Sequence, residues 1–280
     1  MKILVTGATG NVGRMVVDEL LALGADDVRA LTVDLARAAL PAGVEVVRGF
    51  LGRVETLPPA FKDVDVMYLA PHLPTVVEAA RLAAEAGIGR IVDLAGAKGE
   101  HWQGIEDGVE ASGVPFTHLE PGEFMANAEL WAPQIRAGDV VLDAYGDAAN
   151  AAIAQEDIAA VAARVLLDDG HDGRSYELTG PESLSRRAKV ERIGQALGRD
   201  LTYVDLPHDQ ALPHFESVMG EHGGWYLDGL ALLAEHPQAA VPTVAELLGR
   251  PAMTYLDWAR LHADLFGEPV TRFGGHQGVG

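Results

Sequence analysis

Cysteine is absent from this 280-residue sequence, which excludes disulfides, thiolate zinc sites and cysteine nucleophiles. Basic residues are scarce: 21 Lys and Arg stand against 41 Asp and Glu, for a formal net charge of -20. Such a surface repels nucleic-acid phosphates and anionic membranes, so we expect neither as a partner. The acidic excess is interpreted as a solvated surface, with attraction for a cationic partner as the alternative.

Long apolar runs are lacking as well. No stretch approaches the ~20 apolar residues that a membrane span needs. The first apolar run stops at Gly7 and has no basic flank, so it predicts a buried strand and not a signal peptide. We therefore expect a cytoplasmic protein, whose 48% of hydrophobic residues are enough to fill a core.

Short runs rich in Val, Ile and Leu alternate with longer segments of helical period. The six runs cover residues 3–6, 28–32, 44–48, 66–69, 91–94 and 116–119. A helical segment such as 76–86, closed by Gly87, connects each run to the next. This alternation is typical of a doubly wound parallel sheet, so the sequence predicts an α/β fold of the Rossmann type.

The regular alternation loosens after about residue 120. The patterns there predict a helix over 157–167, a strand over 175–179, a helix over 185–197 capped by Ser185, and a strand over 202–206. Short apolar segments, some with the helical period and some with the strand period, thus continue beyond the first six strands.

The remaining segment predicts a smaller, mostly helical C-terminal lobe. Between residues 207 and 266 we expect helices broken by prolines, of which Pro213 is the first. Residues 1–150 are predicted to form the nucleotide-binding core, and 151–266 to complete the sheet and cover the substrate. The glycine-rich segment 267–280 is predicted to be a flexible tail.

Three glycines directly follow the first predicted strand. Gly7, Gly10 and Gly13 have the spacing that a tight turn, a close approach of bare backbone to a pyrophosphate and close helix packing require. We expect Asn11 to cap the helix that follows. A glycine-rich turn without a ligand is the alternative, because such a pattern alone is weak evidence.

Several further segments sharpen this interpretation: "KILVTGATGNVGR", "VRALTVDLARAALPAGVEVVRG", "RIVDLAGA", "EASGVPFTHLEPGEFM", "EDIAAVAARVL" and "YELTGPESLS". Together they resemble the NmrA-like branch of the atypical short-chain dehydrogenase/reductases, over about residues 1–206. The resemblance implies a Rossmann domain, a small C-terminal lobe and usually NADP(H). It also implies either reduction of quinones and other carbonyls, or a redox sensor that binds the nucleotide without turnover.

The resemblance and the glycine spacing together imply a set of cofactor contacts. These are Gly7, Thr9, Gly10, Asn11, Val12, Gly13, Thr32, Asp34, Arg37, Phe50, Ala70, Pro71 and Asn127. Val33 stands where NADP-binding relatives have an arginine. Arg37 could bind a 2′-phosphate one turn later, while Asp34 would repel it or bind a bare ribose, so NADP and NAD both stay open. Phe50 is expected to stack on adenine or to pack.

The catalytic residues of ordinary short-chain reductases are missing. Where a Ser, a Tyr and a Lys are expected, this sequence has Ala95, Trp102 and Glu106. His101 is our first candidate for the proton donor, because an imidazole pKa near ~6.5 suits proton transfer at neutral pH. Lys98 is the second candidate, and for both residues the alternative is a solvated loop position.

Two carboxylates follow the sixth predicted strand, where relatives resemble Arg-Pro-Gly-Phe-Phe-Met. Glu120 and Glu123 are candidate catalytic groups that could share a proton or act as a general base if desolvated. In the alternative they face solvent. The predicted walls of the substrate pocket are His72, Trp102, Phe124 and Met125.

No recognised pattern of metal ligands fits the histidines and acidic residues near 208–222, and we expect no metal.

The leading hypothesis is an NAD(P)-dependent oxidoreductase that transfers hydride to a quinone-like or bulky carbonyl small molecule in specialised metabolism. A non-redox biosynthetic enzyme that performs a cyclisation, dehydration or rearrangement, and a non-catalytic NAD(P) sensor, are the rivals. The sequence leaves open whether the chain forms a homodimer.

Overall fold

The computed structural model describes residues 1–96 and 102–267. Within these residues the chain forms two compact units. Unit 1 comprises Met1–Gly122, Gln155–Thr179 and Val241–Ala252, and unit 2 comprises Glu123–Ala154, Gly180–Ala240 and the chain from Met253 onwards. The chain therefore passes between the units several times. The domain boundaries expected from the sequence stay predictions.

The strands are short, as parallel strands buried between helices commonly are. In chain order they are β1 (Ile3–Val5), β2 (Val28–Thr32), β3 (Glu45–Arg48), β4 (Val66–Leu69), β5 (Arg90–Leu94), β6 (Phe116–Pro121), β7 (Val140–Asp143), β8 (Ala149–Asn150), β9 (Arg174–Leu178), β10 (Leu184–Ser185) and β11 (Thr202–Asp205). β2 and β4 have the bounds that the sequence predicts, and the other predicted strands differ by one or two residues at an end.

The α-helices are numbered in the same way. They are α1 (Asn11–Ala22), α2 (Pro58–Phe61), α3 (Val76–Ala86), α4 (Gln103–Glu110), α5 (Ala132–Ala137), α6 (Gln155–Leu167), α7 (Arg186–Leu197), α8 (His208–Met219), α9 (Gly223–Glu235), α10 (Thr243–Leu248) and α11 (Tyr255–Leu261). Short 3-10 helices cover Val54–Thr56, Leu73–Thr75, Met125–Trp131, Gly220–His222 and Ala263–Phe266.

Unit 1 is built on a seven-stranded sheet with the order β3-β2-β1-β4-β5-β6-β9, in which every neighbouring pair is parallel. The strand order reverses between β1 and β4, and open α/β sheets bind ligands in the crevice at the carboxyl ends of such strands. The predicted doubly wound Rossmann architecture is confirmed.

The core of unit 1 explains why its strands consist of continuous apolar runs. β1, β2, β4 and β5 are buried at every position, since helices cover the sheet. α1 packs against α6, and α3 packs against α4. Leu4, Met67 and Ile91 share one apolar cluster with residues of α3 and α4. This packing fixes the ends of β1 to β6, and with them the candidate site.

The start of α1 differs from the prediction. Asn11 is the first helical residue, and the cap is Gly10, whose backbone is extended (φ -84, ψ 174) and which has no side chain to accept a hydrogen bond. Glycine is tolerated at this position because it adopts the cap conformation without strain. The expected capping role of Asn11 is wrong, and the first amides of α1 receive no side-chain cap.

Pro213 does not break a helix as expected. It lies inside α8, which continues from His208 to Met219. A proline in a helix interior removes one backbone hydrogen bond and costs ~3 kcal/mol in an exposed peptide. α8 buries Ala211 and Phe215 in an apolar cluster shared with α9, and this packing outweighs the local cost.

Unit 2 is mostly helical, as the sequence predicts for the C-terminal lobe. Two small sheets accompany its helices: β7 and β11 form a parallel pair, and β8 and β10 form an antiparallel pair. α7 begins after Ser185, whose side chain accepts a hydrogen bond from the amide of Ala188 at 3.1 Å, which confirms the predicted cap. Across the described ranges, no helix combines the length and apolarity that crossing a bilayer would require.

Candidate functional site

The glycine loop after β1 is held close to the end of β4. The Thr6 hydroxyl donates to the Tyr68 carbonyl at 3.0 Å and accepts from the Ala70 amide at 2.8 Å. Gly7 has a left-handed backbone (φ +60), and a Cβ built on it would lie 2.8 Å from the Cβ of Ala70. Only glycine satisfies both the conformation and the contact. The loop thus presents bare backbone at the carboxyl edge of the sheet.

The third glycine lets α1 approach the loop. A Cβ at Gly13 would overlap the Gly7 carbonyl oxygen, so any larger residue would push the helix away. The amide of Gly10 donates to that same Gly7 carbonyl at 2.9 Å. The first amides of a helix have no intrahelical acceptor, and the helix dipole adds partial positive charge there. The exposed stretch from Thr9 to Asn11 is therefore suited to an anion such as a pyrophosphate.

The end of β2 carries the residues expected near a ribose. Thr32 lies 3.4 Å from Thr9, hydroxyl to hydroxyl, which joins the two loops. Asp34 Oδ1 accepts from the amides of Ala36 at 3.0 Å and Arg37 at 3.3 Å, so this carboxylate closes a turn. The Arg37 side chain is exposed. This turn holds an exposed carboxylate and an exposed guanidinium three residues apart.

Sequence reasoning passed over Arg14, which also belongs to this region. Its guanidinium pairs with Asp18 at 3.0 Å and donates to the Ala39 carbonyl at 2.8 Å, so it connects α1 with the loop after β2. Its position at the end of the "GATGNVGR" motif, on the first turn of α1, was the available signal. It gives the loop a cation beside the exposed start of the helix.

The ends of β3 and β4 bring Phe50 and His72 together. The Phe50 ring is 43% exposed and meets the His72 ring edge to face, with centroids 5.6 Å apart. His72 Nδ1 lies 2.7 Å from the Thr75 hydroxyl, which donates to the Leu51 carbonyl at 2.8 Å. Pro71 is exposed beside them. An exposed aromatic face supported by a fixed imidazole offers a stacking surface for a flat ring.

The end of β5 has no hydroxyl of the kind ordinary reductases use. Ala95 is buried, and its amide donates to the Leu119 carbonyl at 2.9 Å. A Cβ at Gly96 would lie 2.8 Å from the Cβ of Trp102, so the indole packs directly over the glycine. The candidate proton donors His101 and Lys98 lie outside the described residues, and their roles stay predictions.

A carboxyl pair occupies the space between α4 and β6. Glu106 is 1% exposed and Glu120 is 9% exposed, and their side chains hydrogen-bond each other. Burial and then the charge of Glu120 raise the pKa of Glu106 from 4.5 to about 7. Glu106 therefore holds a proton near neutral pH, while a solvated glutamic acid would have lost it.

Behind this pair lies a buried histidine. His118 Nδ1 is 2.7 Å from Asp93 Oδ2, and both side chains are fully buried. Its Nε2 is 3.4 Å from Glu110 Oε1, and Glu110 reaches the surface. Burial alone would lower the pKa of His118, but the hydrogen bond and charge of Asp93 outweigh it and raise the pKa. Sequence reasoning missed this group, since Asp93 and His118 read as ordinary strand positions.

In unit 2, Glu123 belongs to a separate polar cluster. Its Oε2 accepts from Lys189 Nζ at 2.7 Å and from Asn150 Nδ2 at 2.9 Å, and its Oε1 accepts from the Tyr226 hydroxyl at 2.6 Å. Burial opposes ionisation of Glu123, but the charges of Lys189 and Arg186 prevail and lower its pKa to about 2. Glu123 is thus an ion-paired carboxylate. A proton shared between Glu123 and Glu120 does not fit these contacts.

The predicted pocket residues of unit 2 border this cluster. Phe124, Met125, Asn127, Trp131 and Tyr255 line a small, partly open hollow together with Glu123, Ala128, Ala152, Arg186 and Lys189. The buried Arg186 guanidinium pairs with Asp143 and lies 4.9 Å above the Trp131 ring. Arg186 and Lys189 were missed, although their spacing of three residues on a helix places them on one face. In the described part of the chain, no three metal-ligating side chains cluster.

Comparison with known proteins decides the family. The model of the NmrA-like family matches residues 1–228. The chain belongs to the NmrA-like family. The matched residues include the whole glycine loop, the sheet of unit 1 up to β9 and most of unit 2, but not the final helices.

Several known proteins resemble this chain along its length. A (4-alkanoyl-5-oxo-2,5-dihydrofuran-3-yl)methyl phosphate reductase of Streptomyces griseus is 36% identical, over 94% of this chain and 99% of its own length. An NAD(P)H azoreductase of Xenophilus azovorans is 33% identical, over 95% and 99%. Among solved structures, an NADPH-dependent quinone oxidoreductase of Escherichia coli superposes with a TM-score of 0.82 at 25% identity, over 94% and 99%.

Proposed function

We propose that this chain is an NAD(P)H-dependent reductase of small, conjugated carbonyl compounds such as quinones. The observation that carries the proposal is the glycine loop, in which Gly7 and Gly13 have no room for a side chain and bring bare backbone and the start of α1 together at the sheet edge. The activities named for the relatives support it. These relatives are named as a dihydrofuranone phosphate reductase, an azoreductase and a quinone oxidoreductase.

The residues present fit a dinucleotide. Gly7, Gly10 and Gly13 would border the pyrophosphate, together with the exposed Thr9 in the loop and with Asn11 and Val12 in the first turn of α1. Thr32, Asp34 and Arg37 would meet the ribose. Phe50 would stack on adenine, and Ala70 and Pro71 would border the nicotinamide side at the end of β4. Asn127, in unit 2, stays a proposed contact.

We propose that the chain binds both nucleotides and prefers NADPH. One oxygen of the Asp34 carboxylate is already occupied by two backbone amides, which offsets its repulsion of a 2′-phosphate. Arg37, three residues on, has an exposed guanidinium suited to that phosphate. Titration with NADPH and with NADH should therefore give a lower dissociation constant for NADPH.

The missing Ser, Tyr and Lys limit the substrate class. When bound, a reduced nicotinamide supplies a hydride. A quinone, or an alkene conjugated with two carbonyls, yields a stabilised phenolate or enolate after hydride addition, so it needs less help from a protein acid than an isolated ketone. Ala95 and the Trp102 indole leave an apolar surface at the end of β5, which suits a flat conjugated ring.

The deciding experiment measures nucleotide binding by fluorescence and then turnover with quinones and an acyl butenolide. Saturable binding with substrate-dependent consumption of NADPH is the result we expect. Binding without consumption would instead favour a sensor. Absence of binding at millimolar concentration would exclude both, in favour of a non-redox enzyme that uses its buried carboxyls.

We also propose a homodimer. In support, β7 and β11 of unit 2 expose Val140, Leu142 and Val204 along one small sheet, and exposed apolar side chains side by side are common at interfaces. Light scattering on the purified protein tests this, and a monomeric mass at micromolar concentration contradicts it.

A further inference from the structure

The buried carboxyls of Glu106 and Glu120 have one nearby counter-charge, that of His118, and Asp93 already holds it. Among the described residues, no Lys, Arg or His forms an ion pair with either of them. In addition, Oε1 of each is buried and has no hydrogen-bond partner in that part of the chain. Two carboxylates in contact in a dry site cannot both carry charge, so the pair must retain a proton.

The surroundings of the pair reinforce this. His118 of β6 and Asp93 of β5 are hydrogen-bonded to each other and have opposite effects on the pKa of Glu106. α3, which packs against α4, contributes the apolar Val76 and Val77 beside Gly108. Further along α4, Glu110 adds a negative charge on the His118 side. The charge of His118 lowers the pKa of Glu106, but burial and the charge of Glu120 outweigh it, and the pKa of Glu106 is raised.

The pair also lies where a substrate would arrive. Glu120 is the penultimate residue of β6, and Glu106 is in the first turn of α4, the helix after β5. Both therefore stand toward the carboxyl edge of the parallel sheet, where open α/β folds bind their ligands. Glu120 is the more exposed of the two.

We propose that Glu106 and Glu120 form a carboxyl pair that retains one proton and delivers it, from Glu120, to the substrate oxygen. This inference rests on the proposed reductase function. In the reduction, a hydride from the reduced nicotinamide bonds to a substrate carbon, and the electron pair of the C=O π bond moves, directly or through conjugation, to the oxygen. That oxygen takes the proton from the Glu120 carboxyl. The nicotinamide is oxidised, and the pair regains a proton from solvent.

The two residues have different roles. Glu120 is the catalytic residue, since it would touch the substrate. Glu106 is a positioning residue that keeps the proton on the pair. The conservative change Glu106→Gln keeps the shape but removes the carboxyl that holds the proton, while Glu120→Gln removes the donor itself.

The first test uses the nucleotide-free protein and infrared spectroscopy. We expect a protonated-carboxyl C=O band at pH 6 that disappears as the pH rises past about 7, the pKa of Glu106. The band should be lost in Glu106→Gln. In Glu120→Gln it should persist but titrate at a lower pH, because burial still raises the pKa of Glu106 while the charge of Glu120 is gone. It should remain in Asp107→Asn, which changes an exposed carboxylate on the same helix. A band that Glu106→Gln retains, a titration that Glu120→Gln does not move, or no such band in the wild type overturns the proposal.

The second test measures NADPH-dependent quinone reduction in the same variants. Glu120→Gln should lower kcat about a hundredfold or more while leaving the dissociation constant for NADPH within about twofold. Glu106→Gln should lower kcat at neutral pH and regain much of it at lower pH, and Asp107→Asn should behave as the wild type. Unchanged kcat in Glu120→Gln overturns the delivery step.

The two proposals fail in distinguishable ways. Wild-type turnover without the infrared band would contradict the carboxyl pair and leave the reductase function standing. The band without turnover of any quinone or butenolide would contradict the reductase function and with it the delivery of the proton.

Discussion

The Cβ position of Gly7 lies 2.8 Å from the Cβ of Ala70, so the first glycine of the loop packs directly on the end of β4. Gly7→Ala should therefore cost about 1–2 kcal/mol of unfolding free energy for the left-handed backbone alone, and more for the contact. The loop should shift and nucleotide affinity should fall. Urea denaturation and NADPH titration measure the two effects.

Gly138→Ala is the matched control for that change. Gly138 has an extended backbone (φ 176) and no atom within 4 Å of its Cβ position. Its substitution should alter neither stability nor affinity. An equal loss of stability in both variants would contradict the role assigned to Gly7.

Gly10→Trp should block the nucleotide while the fold persists. Gly10 is exposed and has a negative φ, which side chains adopt, and a Cβ there would lie 3.2 Å from the Gly7 carbonyl oxygen, a contact that a small local shift relieves. Its indole would cover the first amides of α1, and we expect at least a hundredfold weaker binding of NADPH. Gly138→Trp serves as control, and circular dichroism checks that both variants fold. Unaltered binding in a folded Gly10→Trp protein would place the ligand elsewhere.

Lys189→Met should strongly destabilise the chain. It leaves Glu123 buried and ionised without its 2.7 Å partner, and breaking a buried ion pair in this way typically costs about 3–5 kcal/mol. Arg192→Met, on the same helix, should cost no more than about 0.5 kcal/mol. Guanidinium denaturation compares the two, and similar small losses would show that Glu123 does not depend on Lys189.

The stability of the wild type should depend on pH through Glu106. Its folded pKa of about 7 lies above the ordinary 4.5, so the folded state binds the extra proton between those values. Glu106 therefore contributes on the order of 3 kcal/mol to the free energy of unfolding. This contribution is fully present below about pH 4.5 and is lost as the pH rises through about 7. Glu106→Gln should abolish this loss and be more stable than the wild type at pH 8. If Glu106→Gln and the wild type show the same dependence of stability on pH, the role assigned to Glu106 is contradicted.

The periodic parts of this fold were predictable from the sequence. β2 and α3 have the expected bounds, because buried parallel strands are continuous apolar runs and α3 ends at a left-handed glycine, Gly87. The cap of α1 was not predictable, since Asn11 and Gly10 are both acceptable caps and only the tight loop geometry selects the glycine.

The chemistry of the site was only partly predictable. The glycine loop is local in sequence, so its spacing revealed it. The pairing of Lys189 with Glu123 joins residues 66 positions apart, and that of Glu106 with Glu120 depends on how α4 packs on β6. Packing of one element on another decides which carboxylate keeps a proton, and single-sequence patterns carry no record of it.

The central claim is that the glycine loop serves a nucleotide that is consumed. The most direct measurement follows NADPH absorbance after a quinone is added to the wild type and to Gly10→Trp. We predict saturable, quinone-dependent loss of NADPH in the wild type and none in the variant. Equal rates in the two proteins, or no binding of NADPH to the wild type at millimolar concentration, would contradict the account.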